Sequence, residues 1–501
     1  MRKILIANRG EIAVRVIRAC RDLGLASVAV YSEVDRAALH VRLADEACYI
    51  GHSPASDSYL RIGAVIDAAR RAGADAVHPG YGFLAESAEF AAACRDAGLT
   101  FIGPSPEAIA QLGSKTAARA CARKAGVPVV EGSDTSFGIE ATDAEVTLAA
   151  SRLGYPVMIK AVAGGGGKGM RVAHDAAQLP AALRAARSEA QASFGEPAVY
   201  LERRLERPRH IEVQILADEH GTVVPFVERE CSLQRRHQKV MEESPSTVVS
   251  ATLRASLQHA ATAVASAAGY SNAGTVEFLL DSNGRFAFLE MNTRLQVEHP
   301  VTEMVTGVDL VAWQIRVARG DRLDIDAAAV AVPRGHAIEC RIYAEDADAG
   351  FVPSPGQLTT LRTPDGPGIR HDSGVDEGGR VPVFYDSMIA KLIAWGESRG
   401  QAVARLRRAL REYRVGGVRT SIPFFLWLVD QPEFASAAFD TTYLDEVLHE
   451  RAGEPFGEPD MSLEEVAMVA AALYHSGKRP SYDAEVSSGW KVRARAEGLR
   501  P

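Results

Sequence analysis

A chain of 501 residues, 47 % hydrophobic and 24 % charged, is too long for one compact core and too apolar for a largely disordered chain. Fifty-six basic side chains against 64 acidic ones leave a net charge of −8, without the basic footprint that nucleic-acid binding requires. No run approaches the ~18 apolar residues of a helical membrane span, the apolar start breaks at Asn8 unlike a signal peptide, and six scattered cysteines without a CxxC imply a reducing, cytoplasmic compartment.

The first hundred or so residues alternate between strand-like and helical runs. Lys3–Ala7 is β-rich, Glu11–Leu23 has helical periodicity with Gly24 where a C-cap belongs, and Ala26–Tyr31 reads as the next strand. Ser58–Ala72 and Ser87–Ala97 read as helices, Asp75–His78 and Thr100–Gly103 as strands, which predicts a parallel sheet covered by helices. Gly-Pro-Ser-Pro at 103–106 closes this unit. Residues 107–130 read as one or two helices, interrupted near Gly113 and ended by Gly126-Val-Pro. In 131–205, Tyr155–Val162, a glycine-rich turn and Met170–Ala173 read as a hairpin. From 206 to 446, Ile211–Ala217, Val223–Glu228, Thr275–Leu280 and Phe286–Met291 predict a large mixed sheet, with helices at Ala255–Ala268 and Ser398–Leu410. Within 447–501, Leu463–His475 suits an amphipathic helix with Leu463, Val466, Ala470 and Leu473 on one face. The fold class is therefore multidomain, α/β followed by α+β.

Gly164, Gly165, Gly166, Gly167, Lys168 and Gly169 satisfy G-x-G-x-x-G letter by letter. A strand rather than a helix follows, which excludes the dinucleotide fingerprint, and Val162 stands where a P-loop needs its first glycine. What remains is a hairpin tip whose backbone amides close over an anion. Lys160, inside an apolar strand, must be paired or reach a ligand. Beside the glycine turn it reads as a ligand contact, and Lys115 begins a helical segment after Gly113-Ser114. Glu277 and Glu290 lie in two apolar strands joined by the turn Asp281–Gly284. Pairing those strands brings both carboxylates to one surface, where with the Asn292 amide they suit Mg²⁺ or Mn²⁺. The run Asn292–Glu303 packs Arg294, Gln296 and Glu298 into a loop suited to a small charged substrate, and Arg229–Lys239 adds a cationic segment. His299, before Pro300, reads as structural, and Cys231 and Cys340 as packed thiols.

Ile6-Ala-Asn-Arg-Gly-Glu-Ile-Ala13, His78-Pro-Gly-Tyr-Gly-Phe-Leu-Ala-Glu86, Tyr155-Pro-Val-Met-Ile-Lys160, the 164–169 loop, Arg235-Arg-His-Gln-Lys239 and Glu290-Met-Asn-Thr-Arg-Leu-Gln-Val-Glu-His-Pro300 together resemble the biotin carboxylases. These are the ATP-grasp components of acetyl-CoA, propionyl-CoA and pyruvate carboxylases. The resemblance covers roughly residues 1–446. It implies a Rossmann-like N-terminal (pre-ATP-grasp) domain at 1–106, a helical linker at 107–130, a mobile ATP-grasp lid at 131–205, a C-terminal catalytic domain at 206–446 and an extension at 447–501.

The implied activity is that of an ATP-dependent ligase that carboxylates biotin with bicarbonate through carboxyphosphate, the first half-reaction of an acyl-CoA carboxylase. A pyruvate carboxylase subunit or another ATP-grasp ligase is the alternative. ATP would be held by Lys115, Lys160, the loop from Gly164 to Gly169, Glu202, Arg203, Leu205, His210, Gln234, His237, Glu277 and Glu290, and two metal ions by Glu277, Glu290 and Asn292. Bicarbonate and biotin would meet Lys239, Arg294, Gln296, Val297, Glu298 and Arg341, with Glu298 as general base and Arg341 stabilising the biotin enolate. The family carries biotin on the lysine of Ala-Met-Lys-Met, yet none of the nine methionines here is followed by lysine. Biotin is therefore expected on a carrier protein in another chain. A chain of this length also leaves no room for a carboxyltransferase, so a separate carboxyltransferase subunit is an expected partner, and the resemblance further implies a homodimer. Ser488-Gly-Trp490-Lys-Val is similar to the stretch leading into the later domains of acyl-CoA carboxylase α chains.

Overall fold

The computed structural model describes residues 1–133, 135–162, 170–457 and 461–475, so the expected glycine-rich tip, Gly164 to Gly169, lies outside the described residues. Residues 1–454 form one compact unit and the chain from Pro455 a second.

The expected alternation opens the fold. Strands β1 (Lys3–Ile6), β2 (Ala26–Ser32), β3 (Glu46–Gly51), β4 (Ala76–His78) and β5 (Thr100–Phe101) form a parallel sheet in the order β3-β2-β1-β4-β5. Helix α1 (Gly10–Asp22) buries Ile12, Val16 and Ile17 against it, and Gly24 follows in the left-handed region at φ +68°. Two elements escape the sequence pattern. One is the short α2 (Leu39–Leu43). The other is the edge strand β3, whose Glu46, Ala47 and Tyr49 are exposed and give no apolar alternation. Helix α3 spans Ile62–Ala72 rather than starting at Ser58, whose hydroxyl bonds back to Pro54 in a preceding turn.

After α4 (Ala88–Asp96) come α5 (Pro106–Gly113) and α6 (Lys115–Lys124). Ser105 and Ser114 cap their N-termini, which accounts for the break at Gly113. Helix α7 (Asp143–Leu153), strands β6 (Val157–Ala161) and β7 (Met170–Ala173), helix α8 (Leu179–Phe194) and strand β8 (Val199–Arg203) build a small antiparallel sheet ordered β7-β6-β8.

The largest layer is an eight-stranded sheet made by β9 (Arg209–Ala217), β10 (Val223–Arg235), β11 (Gln238–Ser244), β12 (Asn272–Leu280), β13 (Phe286–Asn292), β14 (His336–Tyr343) and the strands Ile369–Ser373 and Met388–Gly396. The sequence predicts a mixed sheet, but all seven strand pairings are antiparallel. Hairpins reverse the chain at β9–β10, β10–β11 and β12–β13, and no parallel crossover joins neighbours. One face carries Ile211, Val213, Ile215, Val276 and Phe278 against α9 (Ala251–Ala267). The opposite face is covered by α10 (His299–Thr306), whose Val301 and Val305 pack on Val227, Ala337 and Ile393. Helix α11 (Leu310–Ala318) packs on α1, and Arg15 bridges Glu303 at 3.0 Å and Asp309 at 2.6 Å, tying the first sheet to the second.

The expected terminal helix spans Met461–His475, and Val466, Met468, Val469, Leu473 and Tyr474 along it are all exposed. Among the described residues no helix is long and apolar enough to cross a membrane.

Candidate active site

A cavity of about 1420 Å³ opens between the start of α1, the small sheet and the charged face of the large sheet. Strand register builds its floor. Glu290 pairs with Glu277, Glu277 with Glu212, and Glu212 with Arg229, a row of four charged residues across β13, β12, β9 and β10. Directly opposed residues share a face, so the two carboxylates inferred from the hairpin do lie side by side. The turn between them forms as the sequence suggests, with Asp281 accepting the amides of Asn283 and Arg285, both at 2.9 Å.

Cations enter this row from one end and from above. Arg229, fully buried, pairs with Glu212 and donates to Gln214 and Thr302 at 2.9 Å and to Thr275 at 3.0 Å. Sequence reasoning placed it in a cationic segment facing substrate; it is instead an internal strut. Lys239 reaches Glu212 at 2.5 Å, Glu277 at 2.8 Å and Glu298 at 2.7 Å. Burial opposes its charge, but the three carboxylates hold its pKa well above the usual lysine value.

Glu298 is fully buried and shares its second oxygen with Arg341 at 3.0 Å. Burial resists its ionisation, yet Lys239, Arg341 and Arg229 together keep its carboxyl well below the ordinary range. Arg341 is steadied from behind by Glu242 at 2.7 Å, whose own carboxyl burial pushes up to about 7. Arg294 donates to Glu86 at 2.8 Å, Gln296 at 3.0 Å and Asn292 at 3.2 Å, while Gln296 donates to Glu277 at 3.0 Å. Lys239, Arg294, Gln296, Glu298 and Arg341 are therefore linked through shared carboxylates, and Val297 lines the same cavity.

The other half of the cavity is cationic. Lys115, at the start of α6, is largely desolvated, which lowers its pKa against the pull of Glu290. Lys160 pairs with Glu202, which also takes Arg119 at 3.2 Å, so Glu202 spends both oxygens on cations. Arg203 turns outward to Glu131 at 3.1 Å, and Leu205 lines the wall. His210 sits 2.8 Å from Glu277 and receives an amide hydrogen from Gln234 at 2.8 Å. His237 occupies the β10–β11 turn at φ +64°, next to Arg236 at φ +49°, a left-handed pair without glycine at the cavity edge.

Three domain families match in succession. Residues 1–109 match the biotin carboxylase N-terminal domain, 114–326 the carbamoyl-phosphate synthase L chain ATP binding domain, and 339–446 the biotin carboxylase C-terminal domain. The chain is 52 % identical to a biotin carboxylase from a Nostoc species over 89 % of this chain and 99 % of that one. The chain belongs to the biotin carboxylase family. It is also 52 % identical to a pyruvate carboxylase subunit of Methanothermobacter thermautotrophicus, over 89 % of each chain. The biotin carboxylase domain dimer of Hydrogenobacter thermophilus 2-oxoglutarate carboxylase, solved with MgADP, ADP and bicarbonate, aligns with a TM-score of 0.86 at 44 % identity, covering 90 % of this chain and 98 % of that one.

A biotin carboxylase needs a divalent cation near its nucleotide, and the carboxylate row fits one. Glu290, Glu277 and Glu212 are three neighbouring carboxylates served by Arg229 and Lys239 at the far end. The surplus negative charge falls at Glu290, whose carboxyl is raised by burial and then by Glu277. Glu277 and Glu290 are the two adjoining carboxylates that a hard cation would use, with Lys115 and Lys160 beyond, whereas the Asn292 amide nitrogen donates to Glu277 at 2.8 Å and its oxygen accepts from Arg294 at 3.2 Å. Glu212, Glu242 and Glu86 are the residues sequence reasoning missed. Glu212 sits between Ile211 and Val213 as Glu277 sits between Val276 and Phe278, so the same strand argument would have found it.

Proposed function

We propose that this chain carboxylates biotin presented by a separate carrier protein, using ATP and bicarbonate, as the first half-reaction of an acyl-CoA carboxylase. The observation that carries the reading is Glu298, fully buried, ionised and shared between Lys239 and Arg341 within reach of a lysine-lined phosphate pocket.

Lys239 and Arg294 hold bicarbonate as an anion beside Glu298. When bicarbonate oxygens share the cations that grip Glu298, that grip loosens and the carboxylate gains affinity for the bicarbonate proton. The resulting dianion attacks the γ-phosphorus of ATP, the bond to the β-phosphate oxygen breaks, and ADP and carboxyphosphate form. Lys115 and Lys160 neutralise charge on the transferring group. Glu277, Glu290 and Asn292 would hold Mg²⁺ or Mn²⁺, which lends further positive charge to the phosphates. Carboxyphosphate then breaks to CO₂ and phosphate, phosphate takes the biotin N–H proton, and Arg341 stabilises the enolate that attacks CO₂. A closing lid formed by residues 131–205 would keep water from carboxyphosphate.

The likeness to a pyruvate carboxylase subunit supports a second reading of the parent complex, with the same half-reaction. A homodimer, the carrier protein and the carboxyltransferase subunit, in the cytoplasm, complete the proposal. The test is ADP release from the purified chain, expected to depend on both bicarbonate and biotin. Turnover supported equally by another carboxylate would replace this reading with a different ATP-grasp ligase. Capture of biotinylated and carboxyltransferase partners on the full chain distinguishes the two parent complexes.

A further inference from the structure

Lys391 is a fully buried lysine for which the reaction above has no use. On the strand Met388–Gly396 it is the register partner of Arg341 on one side and of Asp372 on the other, on the face that α10 covers. Arg341 reaches the carboxylate of Glu298 from this row. Lys391 reaches the backbone one peptide earlier, donating to the carbonyl oxygen of Val297 at 2.8 Å. On its far side it pairs with Glu11 at 3.3 Å.

An ammonium in such a place is expensive, since a methionine would fill the volume without the desolvation cost. The surroundings indicate what the ammonium does there. The preceding carbonyl, that of Gln296, accepts from Nδ1 of His299 at 2.8 Å, so two consecutive carbonyls of the loop are pinned by buried side chains. The peptide joining Val297 to Glu298 is planar, and anchoring its oxygen fixes the direction from which the Glu298 Cα leaves. Glu298 is also the N-cap residue of α10, with no side-chain cap to hold it otherwise. Glu11 sets the other end of the contact from the first turn of α1. The chain after Ser373 approaches this turn so closely that a Cβ on Gly374 would lie 2.4 Å from the Glu11 amide nitrogen.

We propose that Lys391, held by Glu11, is a positioning residue that fixes the 297–298 peptide and so aims the general base. This rests on Glu298 being that base. In Lys391→Met, kcat for bicarbonate-dependent ADP release is expected to fall on the order of tenfold to a hundredfold, the weight of one charge-assisted hydrogen bond, with KM for ATP unchanged within about threefold. Amide hydrogen exchange in the full chain is expected to rise in the peptide covering 295–299 and to stay as in the parent across 339–343. Unchanged exchange at 295–299, or a matching loss of ATP affinity, overturns the proposal. Should Lys391→Met fail to fold, Glu11→Gln is read by the same exchange experiment, where a rise at 295–299 supports the proposal and no change overturns it. A parent chain without bicarbonate-dependent turnover refutes the functional reading instead, and the exchange result still decides the positioning.

Discussion

Replacing Glu298 by glutamine separates the two halves of the cavity. The side chain is fully buried, with one oxygen 2.7 Å from Lys239 and the other 3.0 Å from Arg341. Glutamine keeps one acceptor but turns an NH₂ toward one of two cations that can only donate. Breaking a buried ion pair costs about 3–5 kcal/mol when the partner is left alone. Here Lys239 keeps Glu212 and Glu277, and Arg341 keeps Glu242, so about 3 kcal/mol, the lower end, applies. Loss of the base is the larger effect, a fall in kcat of roughly 10²- to 10⁴-fold. Glu298 bonds Lys239 and Arg341 whereas Lys160 pairs with Glu202, so on the proposal that Lys115 and Lys160 hold ATP its affinity is expected to hold within about threefold. Bicarbonate-dependent ADP release gives kcat, and calorimetric titration of the same preparation with ATP gives affinity. A fall of less than about tenfold would remove Glu298 as the base, and an equal loss of ATP binding would show that the two clusters are not independent.

Other substitutions probe the charged face at separate points. Glu290→Gln halves the carboxylate pair at the end of the row and is expected to raise the Mg²⁺ concentration for half-maximal turnover by about tenfold or more; an unchanged requirement counts against its ligand role. Arg229→Met strips Glu212 of its strand partner and removes donors to Gln214, Thr275 and Thr302, with an expected loss of about 3–5 kcal/mol in chemical denaturation, and an unaltered midpoint would refute the strut. Glu11, with Lys391, Asp372 and Arg370 around it, is raised by burial to about 7, so the folded chain holds a proton that the unfolded chain releases between pH 4.5 and 7. Stability should therefore fall as pH rises through that window, by up to about 3 kcal/mol, and Glu11→Gln should flatten the slope between pH 4.5 and 7; an identical slope in the variant excludes Glu11 as its source.

The N-terminal layer was legible where its parallel strands β1, β2 and β4 are buried on both faces and read as short apolar runs separated by helical periods. The Glu277–Glu290 hairpin was legible for a different reason. Its turn residues, Asp281 and Gly284, mark the hairpin, and a register shift between Glu277 and Phe278, which the sequence does not announce, then sets Glu277 opposite Glu290 rather than Leu289. The mixed sheet was misread because β11, β14, Ile369–Ser373 and Met388–Gly396 went unassigned, and pairing direction is invisible when half the strands are missing. Strand β11 carries Lys239, Glu242 and Glu243 among its seven residues, and β14 carries His336, Glu339 and Arg341 among its eight, too polar to pass as core strands.

That polarity is also why part of the site was hidden. Alternation along Ile211-Glu212-Val213-Gln214-Ile215 predicts one buried face and one facing water. In the fold both faces are buried: Ile211, Val213 and Ile215 by α9, and Glu212 and Gln214 by their own neighbours across the sheet. A buried face made of charges is stable only if each charge meets its complement at register distance. Arg229 meets Glu212, Arg341 meets Glu242 and Glu298, and Lys391 meets Glu11. Glu290, at the end of the floor row, has the carboxylate of Glu277 as its strand partner, as Glu277 itself has carboxylates on both sides, and Lys115 and Lys160 are the cations that act on it. The same charges that keep this face from reading as a core are thus what lets it be buried, each carboxylate of the row having a cation near it.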